Sequence, residues 1–434
     1  MTSTSTDRRV VGSVYRRVVG GDADTEVAAN GLRQVAANSL QSIGDQVVNA
    51  KTVLPWLLTM LGAPAGFAGL LVPVRESGSM LPQAALRPWV TSRPRRRGVW
   101  VLGALGQAAA SLVLAATAAS AEGVLAGVLV VVALGGFAVS RSLCSLAGKD
   151  VLGRTVPKGQ RGRITGAATA VSGVVALTLG VGLRLVGGDV GSTVLAVLLL
   201  VAAILWVTAA LVYAGVREPR EEPAHPGDGD GDSDGWLRPA WRLLRDDVLF
   251  RRFVTARALL LVSALAPPFV VTAAAGAGTG GVSGLSGFVV ASGLASLLGG
   301  RVFGGSADRS SRRLMTAGAA TASTVVLGVA ALLLVAGRDV PGWVLVGAFF
   351  VLALVHVGVR VGRKTYVVDA ADGDRRTEYV AVSNTTMGLL LLVVGLLATA
   401  VAALGVAAAL AFLGALGLAG AVAAHRLPEV SAPR

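Results

Sequence analysis

The sequence predicts an all-α membrane protein with 12 transmembrane helices, arranged as two pseudo-symmetric bundles of six helices each. Hydrophobic residues make up 53% of the 434 residues and charged residues 15%, and the mean hydropathy is +0.69. Charged residues approach about a quarter of a typical soluble domain, so this composition belongs in lipid. Apolar runs of the roughly 20 residues that cross a bilayer recur along the whole chain. Basic residues fall in alternate loops, and the two halves repeat one pattern.

Twelve predicted spans follow the apolar runs in order, and the first, second and fourth are the longest or the most polar. They cover residues 33–60, 65–88, 98–118, 122–152, 164–185, 191–215, 251–274, 282–306, 313–336, 342–364, 378–402 and 405–424. The chain then divides into a cytoplasmic N-terminal tail (1–30), an N-terminal bundle (31–216), a linker (217–250), a C-terminal bundle (251–425) and a cytoplasmic tail (426–434). The first thirty residues are polar, so we expect no cleaved signal peptide.

The basic residues set the orientation. With the N-terminus inside, the inner loops contain Arg87, Arg93, Arg95, Arg96 and Arg97, then Arg154, Lys158, Arg161 and Arg163, then Arg309, Arg312 and Arg313, then Arg375 and Arg376. The outer loops contain only Arg184 and Arg338, near helix ends. This is the positive-inside pattern, which predicts a multi-pass protein of the inner (cytoplasmic) membrane with both termini in the cytoplasm. Topology explains the net charge of +14. We therefore expect contact with anionic lipid and no nucleic-acid partner.

An internal repeat relates the two halves. Offsets of 215, 217 and 213 residues align three pairs of positions, namely Lys149 with Lys364, Arg95 with Arg312, and Pro55 with Pro268. The linker between the halves is polar from Arg217 to Gly235 and is expected to be disordered. Its aspartates do not form an EF-hand loop, because Ser233 and Pro239 stand where glycine and glutamate are required. The segment from Trp236 to Arg245 has the composition of an interfacial helix.

The loop from Gly304 to Arg313 has the sequence Gly-Gly-Ser-Ala-Asp-Arg-Ser-Ser-Arg-Arg. It resembles the cytoplasmic loop signature of the major facilitator superfamily, roughly Gly-x-x-x-Asp-Arg-x-Gly-Arg-Arg, with Ser311 where glycine is usual. The resemblance covers about residues 30 to 425 and implies the major facilitator fold, in which a pseudo-twofold axis along the membrane normal relates two six-helix halves. It also implies a carrier, with a cytoplasmic gate loop that includes Gly304, Asp308, Arg309, Arg312 and Arg313.

The chain departs from this family pattern in its first half. The corresponding loop, residues 87–97, keeps the basic cluster but has no aspartate, and Arg87 stands where glycine is usual. The fifth span lacks the Gly-Pro pair that is common in antiporter branches, so a drug/proton exporter is not specifically indicated.

Ionisable residues within the spans are the candidates for substrate and ion binding. A charged group near the bilayer centre costs roughly 2.5–3.5 kcal/mol on insertion scales, so it usually has a task. The candidates are Asp45, Lys51, Arg75, Glu76, Arg141 and His356. Adjacent residues of a helix point about 100° apart, so Arg75 and Glu76 are expected to have partners on other helices. Arg257, nearer the inner surface, can extend toward the head groups.

Two interpretations of these charges stay open. In the first, Glu76 or, as second choice, Asp45 takes up a proton, and Arg75 or Arg141 balances its charge. In the second, the charges form a structural network of ion pairs that holds the helices together. For His356, a role in helix packing is favoured.

The sequence as a whole predicts a secondary active transporter of a small solute, with alternating access and protons as the candidate coupling ion. The alternative is a transporter-like scaffold, receptor or assembly factor. The sequence contains no nucleotide-binding loop, no Gly-x-Ser-x-Gly and no His-Glu-x-x-His, so we expect no enzyme activity and no cofactor. A single cysteine, Cys144, excludes an intramolecular disulfide and a zinc cluster. We expect a monomer with a small-molecule substrate.

Overall fold

The computed structural model describes residues 5–19, 23–156, 164, 174–175, 177–178, 180–182, 191–218, 237–276, 281–370 and 374–430. The regular elements of these residues are helices, as the sequence predicts. They are α1 (Ser5–Val19), α2 (Thr25–Val47), α3 (Val53–Met60), α4 (Gly66–Met80), α5 (Pro82–Thr91), α6 (Arg97–Ser120), α7 (Gly123–Thr155), α8 (Ser192–Ala214), α9 (Leu237–Asp246), α10 (Val248–Leu259), α11 (Val262–Gly276), α12 (Gly281–Arg309), α13 (Ser311–Ala336), α14 (Gly342–Asp369), α15 (Asp374–Ala402) and α16 (Val406–His425).

Eight helical segments of the described chain are long and apolar enough to cross a membrane. They cover 97–120, 123–155, 192–214, 248–276, 311–336, 342–363, 382–402 and 406–425. These are the predicted third, fourth, sixth, seventh and ninth to twelfth spans. Most of the fifth span and most of the linker lie outside the described residues, and the count of 12 spans stays a prediction.

The first and seventh spans each consist of two helices, and the second predicted span, 65–88, also contains α4 and most of α5. The first span contains α2 and α3, and residues 48–52 between them are not helical. The seventh contains α10 and α11, which meet at Leu260 and Leu261. Leu260 follows Val48 by 212 residues, close to the offset between Pro55 and Pro268. The breaks therefore occupy equivalent positions in the repeat.

Helix packing also follows the repeat. In the first half α6 packs along α7 and α8, and in the second half α13 packs along α14 and α16. Small residues allow the close approach of α6 and α7, since a Cβ atom on Gly103 would lie 2.6 Å from the carbonyl oxygen of Ser140. Each half also contains a stacked aromatic pair, Trp100 with Tyr213 and Phe253 with Tyr366.

The two halves contact each other through α3, α4, α11 and α15. The longest contact is between α4 and α15, and α3 and α4 also pack against α11. Trp56 of α3 lies beside Phe288 of α12, with ring centroids 6.5 Å apart. In the predicted orientation, α3 and α11 are the outer parts of their spans. These contacts therefore close the side of the bundle that is predicted to be outer.

Helices α1 and α9 lie outside the two predicted bundles. Helix α1 packs on α2, and its Tyr15 is fully buried beside Gly31 and Ile164. Helix α9 lies in the segment predicted as an interfacial helix and contacts α10. Its position at the lipid surface stays a prediction.

Candidate functional site

A carboxylate with two arginine partners lies at the break in the first span. Asp45 is near the end of α2, and its Oδ1 accepts a hydrogen bond of 2.9 Å from Nη2 of Arg75 on α4. Arg141 on α7 forms an ion pair with Oδ2 of the same carboxylate. Arg75 therefore has a partner on another helix, as predicted. The three side chains connect the first, second and fourth spans.

Arg75 also satisfies the backbone at the break. Its Nη1 donates a hydrogen bond of 3.2 Å to the carbonyl oxygen of Val48, which is the first residue after α2. Its guanidinium carbon lies 4.9 Å from the ring centroid of Phe137 on α7, within range of a cation–π contact. One side chain thus replaces a helical hydrogen bond and holds α4 against α2 and α7.

The cluster is shielded but not sealed. The exposed fractions of the side chains are 15% for Asp45, 19% for Arg75 and 34% for Arg141. A network of ion pairs that only holds the helices together could be fully buried. The remaining exposure leaves part of the Arg141 side chain uncovered by protein.

Glu76 and Lys51 form a looser pair beside this cluster. Lys51 lies in the break itself, where its backbone N–H donates to Oδ1 of Asn49 at 2.8 Å. The side chains of Lys51 and Glu76 interact electrostatically, and Glu76 also acts on Arg141 and on Arg363 of the second half. Among the described residues, Glu76 forms no ion pair within 4 Å. Arg75 and Arg141, the candidates to balance the charge of Glu76, both contact Asp45.

His356 is placed by the equivalent contact in the second half. Its Nδ1 lies 3.2 Å from Oγ of Ser263 on α11, and the tautomer decides which atom donates. This contact joins the tenth and seventh spans, as the Arg141–Asp45 pair joins the fourth and first. His356 follows Arg141 by 215 residues. The geometry therefore agrees with the repeat and gives His356 the helix contact that the sequence favours.

Three further arginines of the second half belong here: the sequence singled out Arg257, whereas Arg360 and Arg363 were not among its candidates. Arg257 on α10 points to α15, where its Nη1 donates to Ser383 at 2.7 Å and its Nη2 to Asn384 at 3.2 Å. It therefore binds protein groups instead of extending to the lipid. Arg360 and Arg363 follow His356 on α14. The signal was present as the spacing i, i+4, i+7, but the inner end of a span is where topology already explains a basic residue.

The predicted cytoplasmic gate loop is almost entirely helical. Helix α12 continues to Arg309 and α13 begins at Ser311, so only Ser310 lies between the two helices. Ser310 is the N-cap of α13, because its Oγ accepts the N–H of Arg313 at 3.1 Å. The positions Gly304, Asp308 and Arg309 fall in α12, and their side chains lie outside the described residues.

The described part of this segment is attached to the chain after α16. Nη1 of Arg312 donates to the carbonyl oxygen of Leu427 at 3.3 Å, and its Nε lies 3.5 Å from Oε2 of Glu429. The hydroxyl of Ser310 donates to the same carboxylate. Arg312 therefore holds the C-terminal segment, and its role as a gate stays a prediction.

The first-half counterpart obtains its carboxylates from other segments. Arg96 pairs with Asp150 of α7, and Arg154 lies 3.4 Å from Asp150 and 3.3 Å from Glu218. Oε2 of Glu218 also accepts the backbone N–H of Arg97 at 2.9 Å. The side chain of Glu218 is fully buried. The aspartate missing from residues 87–97 is thus replaced by two carboxylates, one of them at the start of the linker.

Comparisons with known proteins agree with this architecture. The sequence profile of the Major Facilitator Superfamily matches residues 40–389. A comparison with curated proteins found no match. A solved D-xylose-proton symporter has a TM-score of 0.68 at 12% identity, over 92% of this chain and 98% of the symporter. The nucleoside transporter NupG has a TM-score of 0.68 at 11% identity, over 92% and 99%. A POT family transporter in complex with a thioalcohol-conjugated peptide has a TM-score of 0.67 at 11% identity, over 90% and 94%. Identities this low show similarity of fold alone.

Proposed function

Since this chain belongs to the Major Facilitator Superfamily, we propose that it is a secondary active transporter of a small solute that works by alternating access, with protons as the coupling ion. The solved relatives are named as transporters of xylose with protons, of nucleosides and of peptides, which supports a small-molecule substrate. The observation that carries the proposal is the Asp45 carboxylate held by Arg75 and Arg141 at a helix break in the centre of the bundle.

The contact between the halves suits a rocking motion. Ser77 of α4 donates a hydrogen bond of 2.6 Å to the carbonyl oxygen of Gly388 on α15. Gly69 and Gly395 let the two helices approach along the rest of the contact. Small residues at a helix contact favour movement of one half on the other. In the described state α3 and α4 meet α11 and α15 on the predicted outer side. Transport requires these contacts to open while the inner side closes.

Glu76 is the preferred proton acceptor of this cluster. Protonation of Asp45 would leave two shielded guanidinium groups without their common partner, which is costly. Protonation of Glu76 would instead remove a carboxylate that forms no ion pair within 4 Å among the described residues and interacts more loosely with Lys51, Arg141 and Arg363. The charge of Lys51 would then become available to the second half. Glu76 therefore links proton uptake to the contact between the halves.

Reconstituted vesicles test the proposal. We expect purified protein in liposomes to accumulate at least one solute of a broad metabolite panel when a pH gradient is applied. The Asp45→Asn variant should lose this uptake, while Arg252→Gln, an exposed arginine of α10, should retain it. No uptake of any solute by the wild-type protein would favour the scaffold, receptor or assembly factor.

The predicted topology and its domain boundaries are part of the proposal. We place residues 31–216 and 251–425 in the two bundles, the linker and both termini in the cytoplasm, and the protein in the inner membrane as a monomer. The sequence contains a single cysteine, the buried Cys144. A Cys144→Ser background with new cysteines in the linker or in the predicted outer loops would give a clean labelling pattern. Labelling of linker cysteines from outside intact cells would contradict the orientation.

A further inference from the structure

The inner part of α14 has a row of basic side chains. His356, Arg360 and Arg363 are spaced i, i+4 and i+7, so they lie on one face of the helix. The contact between His356 and Ser263 of α11 directs this face toward the interior of the second half. Arg360, one turn further, is an exposed residue on the same face. Its charge acts on Lys51 of the first half.

Electrostatic interactions connect this row with the first half. Lys51 in the break of the first span interacts with Arg360, Arg363 and Arg75. His356 interacts with Lys51 and with both arginines of α14, and Arg257 interacts with Arg363. Basic groups of both halves thus face one central region.

The described groups of this region are unequally charged. Its carboxylates are Asp45 and Glu76, and Asp45 is already shared by two arginines. Its cations are Lys51, Arg75, Arg141, Arg257, Arg360 and Arg363. Six cations against two carboxylates leave a formal excess of four positive charges among the described side chains. Such an excess in a shielded site is costly unless a counter-ion is bound.

Arg257 and Arg363 of the second half have side-chain N–H groups without an acceptor in the described part of the chain. The guanidinium of Arg257 has two neutral acceptors, Ser383 and Asn384. The buried Nε atoms of Arg257 and Arg363 have no hydrogen-bond partner there. Arginine presents its N–H groups in a planar fork that matches carboxylate and phosphate oxygens. The guanidinium groups of Arg257 and Arg363 therefore suit a carboxylate or phosphate group of a bound anion.

We propose that the transported solute is a small organic anion, whose carboxylate or phosphate group binds between Arg257, Arg363 and Lys51. This inference rests on the proposed transport function and adds the substrate class to it. The positive region raises the local concentration of anions and excludes cations. A neutral solute would leave the excess charge uncompensated.

Matched pairs of probes test the substrate class. Thermal unfolding of the purified full-length protein is measured at constant ionic strength with succinate and succinamide, with glucose 6-phosphate and glucose, and with inorganic phosphate and chloride. We expect at least one oxyanion to raise the unfolding temperature more than its partner does. Arg257→Gln and Arg363→Gln should each weaken this anion binding roughly tenfold, the effect of losing one charge-assisted hydrogen bond.

Two further variants separate binding from folding and from general charge. Arg252→Gln removes an exposed arginine from the same helix as Arg257 and should keep the anion effect. Arg257→Lys keeps the charge and should recover part of the binding. The absence of any anion-specific shift would overturn the inference, as would a loss in Arg252→Gln equal to that in Arg257→Gln.

Uptake into liposomes distinguishes failure of this inference from failure of the transport function. Accumulation of neutral or cationic solutes with no anion transported would overturn the substrate class and leave transport intact. No accumulation of any solute would remove both. Accumulation of an anion that is lost in Arg257→Gln and kept in Arg252→Gln would support both.

Discussion

Replacing Asp45 by asparagine should cost more than replacing Arg141, one of its two arginine partners. In Asp45→Asn two guanidinium groups lose their carboxylate. In Arg141→Gln the carboxylate keeps Arg75, which remains bound at 2.9 Å. Removing one partner of a fully buried ion pair costs about 3–5 kcal/mol. The exposed fractions of 15% to 34% admit some solvent screening, so we expect about 2–4 kcal/mol for Asp45→Asn and about 1 kcal/mol for Arg141→Gln.

A double-mutant cycle measures this asymmetry. Free energies of unfolding are determined in mixed micelles for the wild type, Asp45→Asn, Arg141→Gln and the double variant. The double variant should be less destabilised than the sum of the single variants, because it contains one unpaired guanidinium instead of two. Arg252→Gln provides the control for loss of an exposed arginine. Equal costs for the two single variants, or strict additivity, would refute the shared-carboxylate geometry.

Three other substitutions address coupling, packing and the linker. Glu76→Gln should abolish accumulation driven by a pH gradient while the thermal stability stays near the wild-type value, and undiminished coupling would exclude Glu76 as the proton acceptor. Gly103→Ala should destabilise the protein by about 1–3 kcal/mol, because its Cβ would meet the backbone of α7 at 2.6 Å. Gly98→Ala in the same helix is the control: its Cβ meets nothing within 4 Å, so it should be neutral or stabilising in the same unfolding assay. Glu218→Gln should remove the ion pair with Arg154 and make the start of the linker more sensitive to limited proteolysis. An unchanged cleavage rate would contradict this role of Glu218.

The fold was predictable because it depends on patterns that a single sequence displays. Long apolar runs and alternating basic loops follow directly from the bilayer as solvent. The repeat offset found between Pro55 and Pro268 correctly aligned the two broken spans, although the breaks themselves were not predicted. A break depends on which side chains are available to satisfy the free carbonyls. Here that is Arg75, from a different helix.

The candidate site was only partly predictable, because charge identifies a residue but not its partner. The polar residues of the first two spans singled out Asp45 and Arg75, which form an ion pair in the structure. Their mutual pairing depends on the crossing of α2 with α4, which no sequence spacing records. Arg360 and Arg363 were missed for another reason. A basic residue near the inner end of a span has an ordinary topological explanation, and only the interior direction of this helix face contradicts it.

The two halves have the same fold but unequal electrostatics, and this inequality has a mechanistic consequence. The first half binds its own charges in the Asp45 cluster, while Arg257, Arg360 and Arg363 of the second half have no carboxylate within 4 Å among the described residues. If the solute is an anion, its charge neutralises the arginines of the second half on binding. Glu76 interacts with Lys51 and with Arg363, and so connects this anion site with the first half. Proton uptake at Glu76 would increase the positive potential at the solute and strengthen anion binding. Proton and anion should therefore bind with positive cooperativity, so the apparent affinity for the anion should rise as pH falls in the wild type and become independent of pH in Glu76→Gln. A wild-type affinity for the anion that decreases as the pH is lowered, measured by equilibrium binding, would exclude this form of coupling.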